Sequence, residues 1–363
     1  MEDINTKSLV TNNGKEVVFK FELVPCDMKW LASMAGELSN SATYFSTFAD
    51  VSQRNKDTMG GSIGEKNSTW QPWNYSKRIA MAKKVELYKK TPRDLVKQRS
   101  HVTKYIANGG SWQEFPPPLC KFVDLAKAEP LHNMNNAWQN WFTVLLAKAF
   151  HCSNKDLLTA LTSFSFVPVT SPFAKVLNSV KETVKCGRLY KNYCRWFSEK
   201  RKKGLPFSYR FTGLESKNFA QNFASPIKVL LDCKDLTKGV FVKLHSLAHS
   251  AILLRDATSL FTRVKITKEQ TEELASPCTT YFNRNSLLLS NVNPTIWTIG
   301  YVIPYHTKLL FNKLGYGLGL NSMQGREAKH CKLKDFIANT CSGRKNQQWW
   351  TVLRHEYVSL LWL

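Results

Sequence analysis

The segment KVLNSVKETVKCGRLYKNYCRWFSEKRKK (residues 175–203) carries two stripes at once. Leu177, Val180, Val184, Tyr190, Cys194 and Phe197 recur at helical spacing and supply a face for a core. Lys181, Lys185, Arg188, Lys191 and Arg195 run beside them, and the segment closes on Lys200, Arg201, Lys202 and Lys203. Gly187 costs such a helix about 1 kcal/mol. A helix with one apolar edge must bury it against another element, so the segment predicts helix-on-helix packing. A merely solvated face mixes charge signs, whereas this one has a single sign and suits phosphate contact. The terminal basic run also reads as a nuclear import signal.

The same periodicity extends along the chain. Helices are expected over residues 27–50, over Arg78–Lys90, and from a Thr91, Pro92 and Asp94 start through Leu95, Val102 and Ile106 to Gly109 and Gly110. Others follow from Pro130 through Trp138, Trp141 and Leu145, after a cap at Ser153 or Asn154, and around 240–262, 267–288 and 323–340, with a Pro294-to-Lys313 segment leading into the last. Val17–Val24 reads as a strand that stops at Pro25. Asp57–Asn74 reads as a polar loop carrying Trp70 and Trp73, and Gly315, Gly317 and Gly319 as a flexible turn. The fold class is mainly α with a small β component.

Fifty-one Lys and Arg against 27 Asp and Glu leave a formal charge of +24 over 363 residues. Self-repulsion on that scale calls for an anionic partner: nucleic acid first, DNA with RNA as the alternative, and an acidic membrane surface second. No apolar stretch is long enough to cross a bilayer, and Met1–Asn5 lacks the basic and apolar regions of a secretory signal. The nine cysteines are scattered without a CxxC pair, which suits reduced, buried thiols and an intracellular location, nuclear or cytoplasmic.

Phosphate-binding glycine loops, a nucleophile elbow and a metalloprotease motif are all missing from the sequence. His245 and His249 stand four apart on one helix face without a nearby carboxylate, which favours partly buried structural histidines. Glu327, in Gly325-Arg326-Glu327-Ala328-Lys329-His330, opens a helix. A carboxylate there is usually a favourable dipole contact, but it can also hold Mg²⁺ or Mn²⁺ while Arg326 and Lys329 meet phosphates.

Several segments together resemble one family. Phe19-Lys20-Phe21, the Glu37-to-Ser52 stretch, Glu129-Pro130-Leu131-His132 with Asn135-Asn136-Ala137, Gly213 with Asn218-Phe219-Ala220, and His306 through Glu327 follow one order. That order is similar to the C-terminal part of the catalytic core of the V(D)J recombination-activating recombinase and the Transib transposases. The resemblance implies a partial RNase H-like core with a large helical insertion, divided as 1–75, 76–290 and 291–363. It makes Glu327 the last of three catalytic carboxylates in a two-metal site. The two partner aspartates belong on strands upstream of Phe19, where only Asp3 stands. The family's zinc ligands fall at Phe45, Phe48, Tyr301 and His306, so zinc is expected to be lost.

Three readings follow. The first is a transposase-derived DNA-binding chain that is catalytically incomplete by itself, needs no cofactor, and has a homodimer as the assembly to test. The second is an active strand-transfer enzyme using Mg²⁺ or Mn²⁺, with Asp27 or Asp50 joining Glu327. The third is an RNA-binding or scaffold protein whose 11 Trp fill a helical core.

Overall fold

A computed structural model describes residues 8–18, 20–38, 43–64, 67–90, 99–153, 155–233, 236–290, 292–340 and 345–361. The chain is mainly helical, and among the described residues its only sheet is a two-stranded antiparallel hairpin, β1 (Leu9–Val10) with β2 (Glu16–Val17). The strand expected over Val17–Val24 does not run through. Val18 is exposed and Val24 forms one isolated bridge to Ala126. β-propensity needs a neighbour to hydrogen-bond with, and this stretch has none along most of its length.

The helix expected over 27–50 shortens to α1 (Met28–Met34), capped by Asp27. Positive φ at Gly36 turns the chain, because a Cβ there would lie 2.3 Å from the Phe115 carbonyl oxygen. Next come α2 (Tyr75–Lys90) and α3 (Arg99–Asn108). The start expected for α3 at Thr91, Pro92, Asp94 and Leu95 lies outside the described residues. These two helices close a small satellite core of Leu38, Val85, Val102, Ile106 and Trp112. Arg78 on α2 is no surface cation. It is buried against Glu37, Gln113 and the Thr47 carbonyl.

The main core is built around α4 (Pro130–His151), with Pro130 in its first turn and Trp138, Trp141, Phe142 and Leu145 buried. Short α5 (Lys155–Ala160) follows. Asn154 lies outside the described residues. Ser153 is not its cap, since its hydroxyl donates to Ala149 and accepts from the Phe173 N–H. Against α4 pack α6 (Pro172–Glu182), α8 (Gly213–Asn222) and α10 (Lys238–Phe261), while α7 (Gly187–Glu199) and α9 (Ala224–Leu231) pack on α6. Capping residues fix these starts: Ser171 before Pro172, Thr212 with Glu215, and Thr237. Then α11 (Lys268–Glu273) and α12 (Ala275–Arg284) lead into a π-helical turn at Asn285–Leu289. The chain continues through α13 (Pro294–Trp297) and a second π turn into α14 (Ile303–Leu314), then α15 (Gln324–Asn339) and α16 (Lys345–Leu361). One hydrophobic cluster runs from Cys26 to Leu318, so packing crosses the boundaries drawn after residues 75 and 290.

The stretch that the sequence presents as one helix, 175–203, is two. Lys185 takes a positive φ of 60°, and the Cys186 N–H reaches back to the Val180 carbonyl in a Schellman-type stop. The break resets the phase, so the second half buries Leu189, Tyr193 and Phe197, while Tyr190 and Cys194 are only half-buried. Gly187 begins α7 instead of weakening its middle.

The glycine run after α14 is not a loose turn. The Gly317 and Gly319 N–H groups donate to the Val264 and Arg263 carbonyls at 2.7 and 2.9 Å. A Cβ on Gly319 would sit 2.3 Å from the Thr262 oxygen, which is backbone and cannot swing away. Gly319→Ala is therefore expected to destabilise the protein by at least the upper end of the about 1–3 kcal/mol typical of overpacking. Gly239→Ala, where a Cβ meets nothing within 4 Å, should be neutral or gain up to about 1 kcal/mol. Denaturant unfolding of both variants measures the difference, and equal stabilities would show that the close approach imposes nothing.

Candidate nucleic-acid interface and the Glu327 site

The cationic stripe divides into anchored and free members. Arg188 donates to the Tyr209 hydroxyl at 2.9 Å and reaches Glu215 at 3.5 Å. Arg201 lies 4.1 Å over the Phe197 ring and donates to the Leu161 carbonyl. Lys181 pairs with Glu182, and Arg195 is held by the Asn192 side chain. Lys185, Lys191, Lys200, Lys202 and Lys203 are exposed, and none forms an ion pair among the described residues, although Lys185 lies close enough to Glu182 to help lower its pKa. Arg188, Arg195, Arg201 and Lys181 thus have local partners, while the other five ammonium groups remain for solvent or a ligand. Planar guanidinium suits fixed hydrogen bonds, whereas lysine suits diffuse phosphate contact.

Glu129 caps α4 as a fully buried carboxylate. It accepts from the Leu131, His132 and Met323 N–H groups at 3.0, 2.6 and 2.8 Å, and meets His132 Nδ1 at 2.7 Å. That bond orients the His132 ring so that Nε2 faces Glu327, 3.8 Å away on the first turn of α15. The hydrogen bond from Glu129 raises the His132 pKa, with Glu327 and Asp27 adding to it. Arg326 donates to the Pro25 carbonyl at 2.8 Å, and Lys329 pairs with Glu356 on α16 at 3.0 Å. Both candidate phosphate contacts therefore have structural partners.

Glu327 is half-exposed and faces a histidine instead of a second carboxylate. Asp27 is engaged in capping α1, accepting from Trp30 N–H at 2.9 Å. Asp50 accepts from Gln71 N–H at 2.7 Å, and burial raises its pKa. No group of three His, Cys, Asp or Glu side chains among the described residues is gathered in metal-binding geometry.

The four positions matched to a zinc site lie in an aromatic cluster. Phe48 meets the His306 ring edge-on at 4.7 Å, and Phe45 meets Trp297 at 6.1 Å. Tyr301 packs against Trp70 and Phe282, each at 4.7 Å, and donates its hydroxyl to the Thr58 carbonyl. His306 Nδ1 accepts from the Ala128 N–H at 3.0 Å, and burial lowers its pKa, so the ring is neutral with its proton on Nε2. Trp70, a candidate for base stacking, is fully buried in this cluster, and Trp73 is half-buried.

Sequence reasoning missed two features. The Glu129–His132–Glu327 chain spans 195 residues between its last two members, and no local spacing reveals it. Trp349, Trp350 and Tyr357, exposed at 53%, 67% and 65%, form an aromatic stripe on α16. Their helical spacing is legible, but its reading as surface required knowing that α16 packs against α15. No helix among the described residues is long and apolar enough to cross a membrane.

The two histidines set opposite limits on stability. The raised His132 pKa contributes stability that is fully present below its unfolded value, about 6.5, and is lost as pH rises through the folded value. The lowered His306 pKa contributes stability present above about 6.5 and lost as pH falls, when protonation removes the acceptor for Ala128. The joint contribution of the two histidines should therefore peak near neutrality. His132→Gln should flatten the alkaline limb and leave the acid limb, as followed by thermal unfolding between about pH 5 and 9. An unchanged alkaline limb would separate His132 from the effect. Neither a family model nor a curated protein matches the sequence.

Proposed function

We propose that this chain is a nucleic-acid-binding protein of transposase or recombinase descent, with DNA as its partner, whose Glu327 site does not cut. The observation that carries the first half is the set of exposed lysines, Lys185, Lys191, Lys200, Lys202 and Lys203, which form no ion pair among the described residues. Such charges release counterions when they meet phosphate, and this release supplies most of a sequence-independent affinity. The order of motifs from Glu37 to Glu327 supports descent from a partial RNase H-like core with a helical insertion. The Lys200–Lys203 run suits nuclear import.

His132 supports the second half. An imidazole whose pKa is raised by its hydrogen bond to Glu129 stands 3.8 Å from Glu327, and when protonated it competes for that carboxylate with any divalent cation. Mg²⁺ sheds its waters reluctantly for a single carboxylate, and without paired metals the attacking oxygen is not activated. A second reading, binding of unpaired RNA or DNA strands, is favoured by Trp349, Trp350 and Tyr357, since aromatic faces stack on any base.

Replacing Lys185, Lys191 and Lys202 by Glu should weaken duplex binding and reduce the salt slope, by about 0.9 for each phosphate that is no longer neutralised. A slope identical to that of the parent would move the interface elsewhere. Incubated with labelled duplex and Mg²⁺ or Mn²⁺, the parent and Glu327→Gln should both bind and neither should nick or join strands. Cleavage by the parent that vanishes in the variant would establish the enzyme instead.

A further inference from the structure

A groove of about 450 Å³ lies between α10 and the C-terminal end of α12, with Phe241, His245 and His249 on one wall and Arg284 and Leu288 on the other. Phe241, His245 and His249 are each four residues apart, so they line one face of α10 at about 6 Å per step. The opposite wall is shaped by the π-helical turn at Asn285–Leu289. Such turns are rare and frequently mark functional sites. Asn285 fixes this one, donating to the Tyr281 carbonyl at 2.8 Å and to Ser250 at 3.3 Å across on α10. Arg284 lies close enough to His249 to act on its charge, and Leu288 lines the same groove as Phe241.

The two ends of the groove differ in chemistry. At one end His249 Nδ1 and Arg284 Nε are buried, and neither has a hydrogen-bond partner. Arg284 forms no ion pair among the described residues, and no residue lining the groove is acidic. A guanidinium nitrogen withdrawn from water without an acceptor is a costly arrangement in a folded protein. An anion would relieve it. At the other end Phe241 is 46% exposed, and its ring lies 4.3 Å from that of His245. Here an apolar, planar group would be covered.

We propose that this groove binds a nucleoside phosphate, its phosphate on Arg284 and His249 and its base against Phe241 and Leu288. The groove shares no residue with the exposed lysines on and around α7 and adds a ligand class that the interface reading does not supply. The nucleotide is either free or the unpaired residue of a strand, since both present the same phosphate and base.

The test uses the full chain with adenosine monophosphate, adenosine, inorganic phosphate, a single-stranded oligonucleotide and a duplex of equal length. Adenosine monophosphate should bind one per chain and more tightly than adenosine or phosphate alone. Arg284→Gln and Phe241→Ala should each weaken it at least tenfold. Phe241 is exposed, so its variant retains the fold even if Arg284→Gln does not. Loss of the free nucleotide with oligonucleotide binding unchanged assigns the groove to a free ligand. If the mononucleotide does not bind and both variants weaken the single strand but not the duplex, the groove takes a strand's unpaired nucleotide. Phosphate binding as tightly as the nucleotide would overturn the proposal, as would affinities that both variants leave intact. A change in oligomeric state without nucleotide binding would also overturn it and make the groove a contact between copies. The triple lysine variant should retain nucleotide affinity, which separates failure of this site from failure of the DNA interface.

Discussion

Glu129 is a carboxylate withdrawn entirely from water, and the arrangement of the C-terminal helices depends on it. A buried charge is tolerable only when its oxygens are saturated, and here three backbone N–H groups and one imidazole do so. Two donors come from the first turn of α4, where the carboxylate also meets the positive end of the helix dipole. A third comes from Met323, immediately before α15. The same short segment is held from further sides. Asn321 donates to the Lys127 and Ala128 carbonyls, and Ala128 donates to His306 on α14. The central helix, α14 and the entry to α15 therefore meet at one buried polar knot, and the position of Glu327 follows from it.

The net charge of +24 is reconciled with a compact fold by where the acids sit. Glu37, Glu114, Glu129, Glu215 and Glu356 are all buried, each bonded to a cation, a helix end or both. Burial pushes the Glu37 carboxyl up to about 7 against the pull of Arg78. With carboxylates used as internal fasteners, surface lysines are left without counter-charges. An excess of one sign outside and paired charge inside suits a polyanionic partner better than a neutral small molecule.

At Glu327 the facing group decides which chemistry is available. A carboxylate facing another carboxylate attracts divalent metal, and one facing an imidazole is compensated whenever that ring is protonated. The aromatic cluster around Phe45, Phe48 and Trp297 makes the same point in apolar terms. Edge-to-face rings and a neutral, hydrogen-bonded His306 hold together segments from residues 45 to 306 by area burial and ring geometry.

Helical periodicity, proline and capping residues by themselves determined that the protein is mainly α and where α2, α4, α10 and α15 lie, because those signals act within one or two turns. Charge composition likewise determined an anionic partner as the expectation, since it needs no geometry. The sequence could not reveal the stop at Lys185, the shortening of α1, or the absence of a continuous strand at Val17–Val24. Each depends on which neighbours are present to pair with or bury a face. Tertiary structure alone decided which cations are anchored and which are free, since Arg188 finds Glu215 and Tyr209 only after α7 and α8 dock. It alone brought His132 to Glu327 and gathered Phe241, His249 and Arg284 around one groove. Contacts between residues far apart in the chain are set by how helices pack, and local sequence carries no record of that packing.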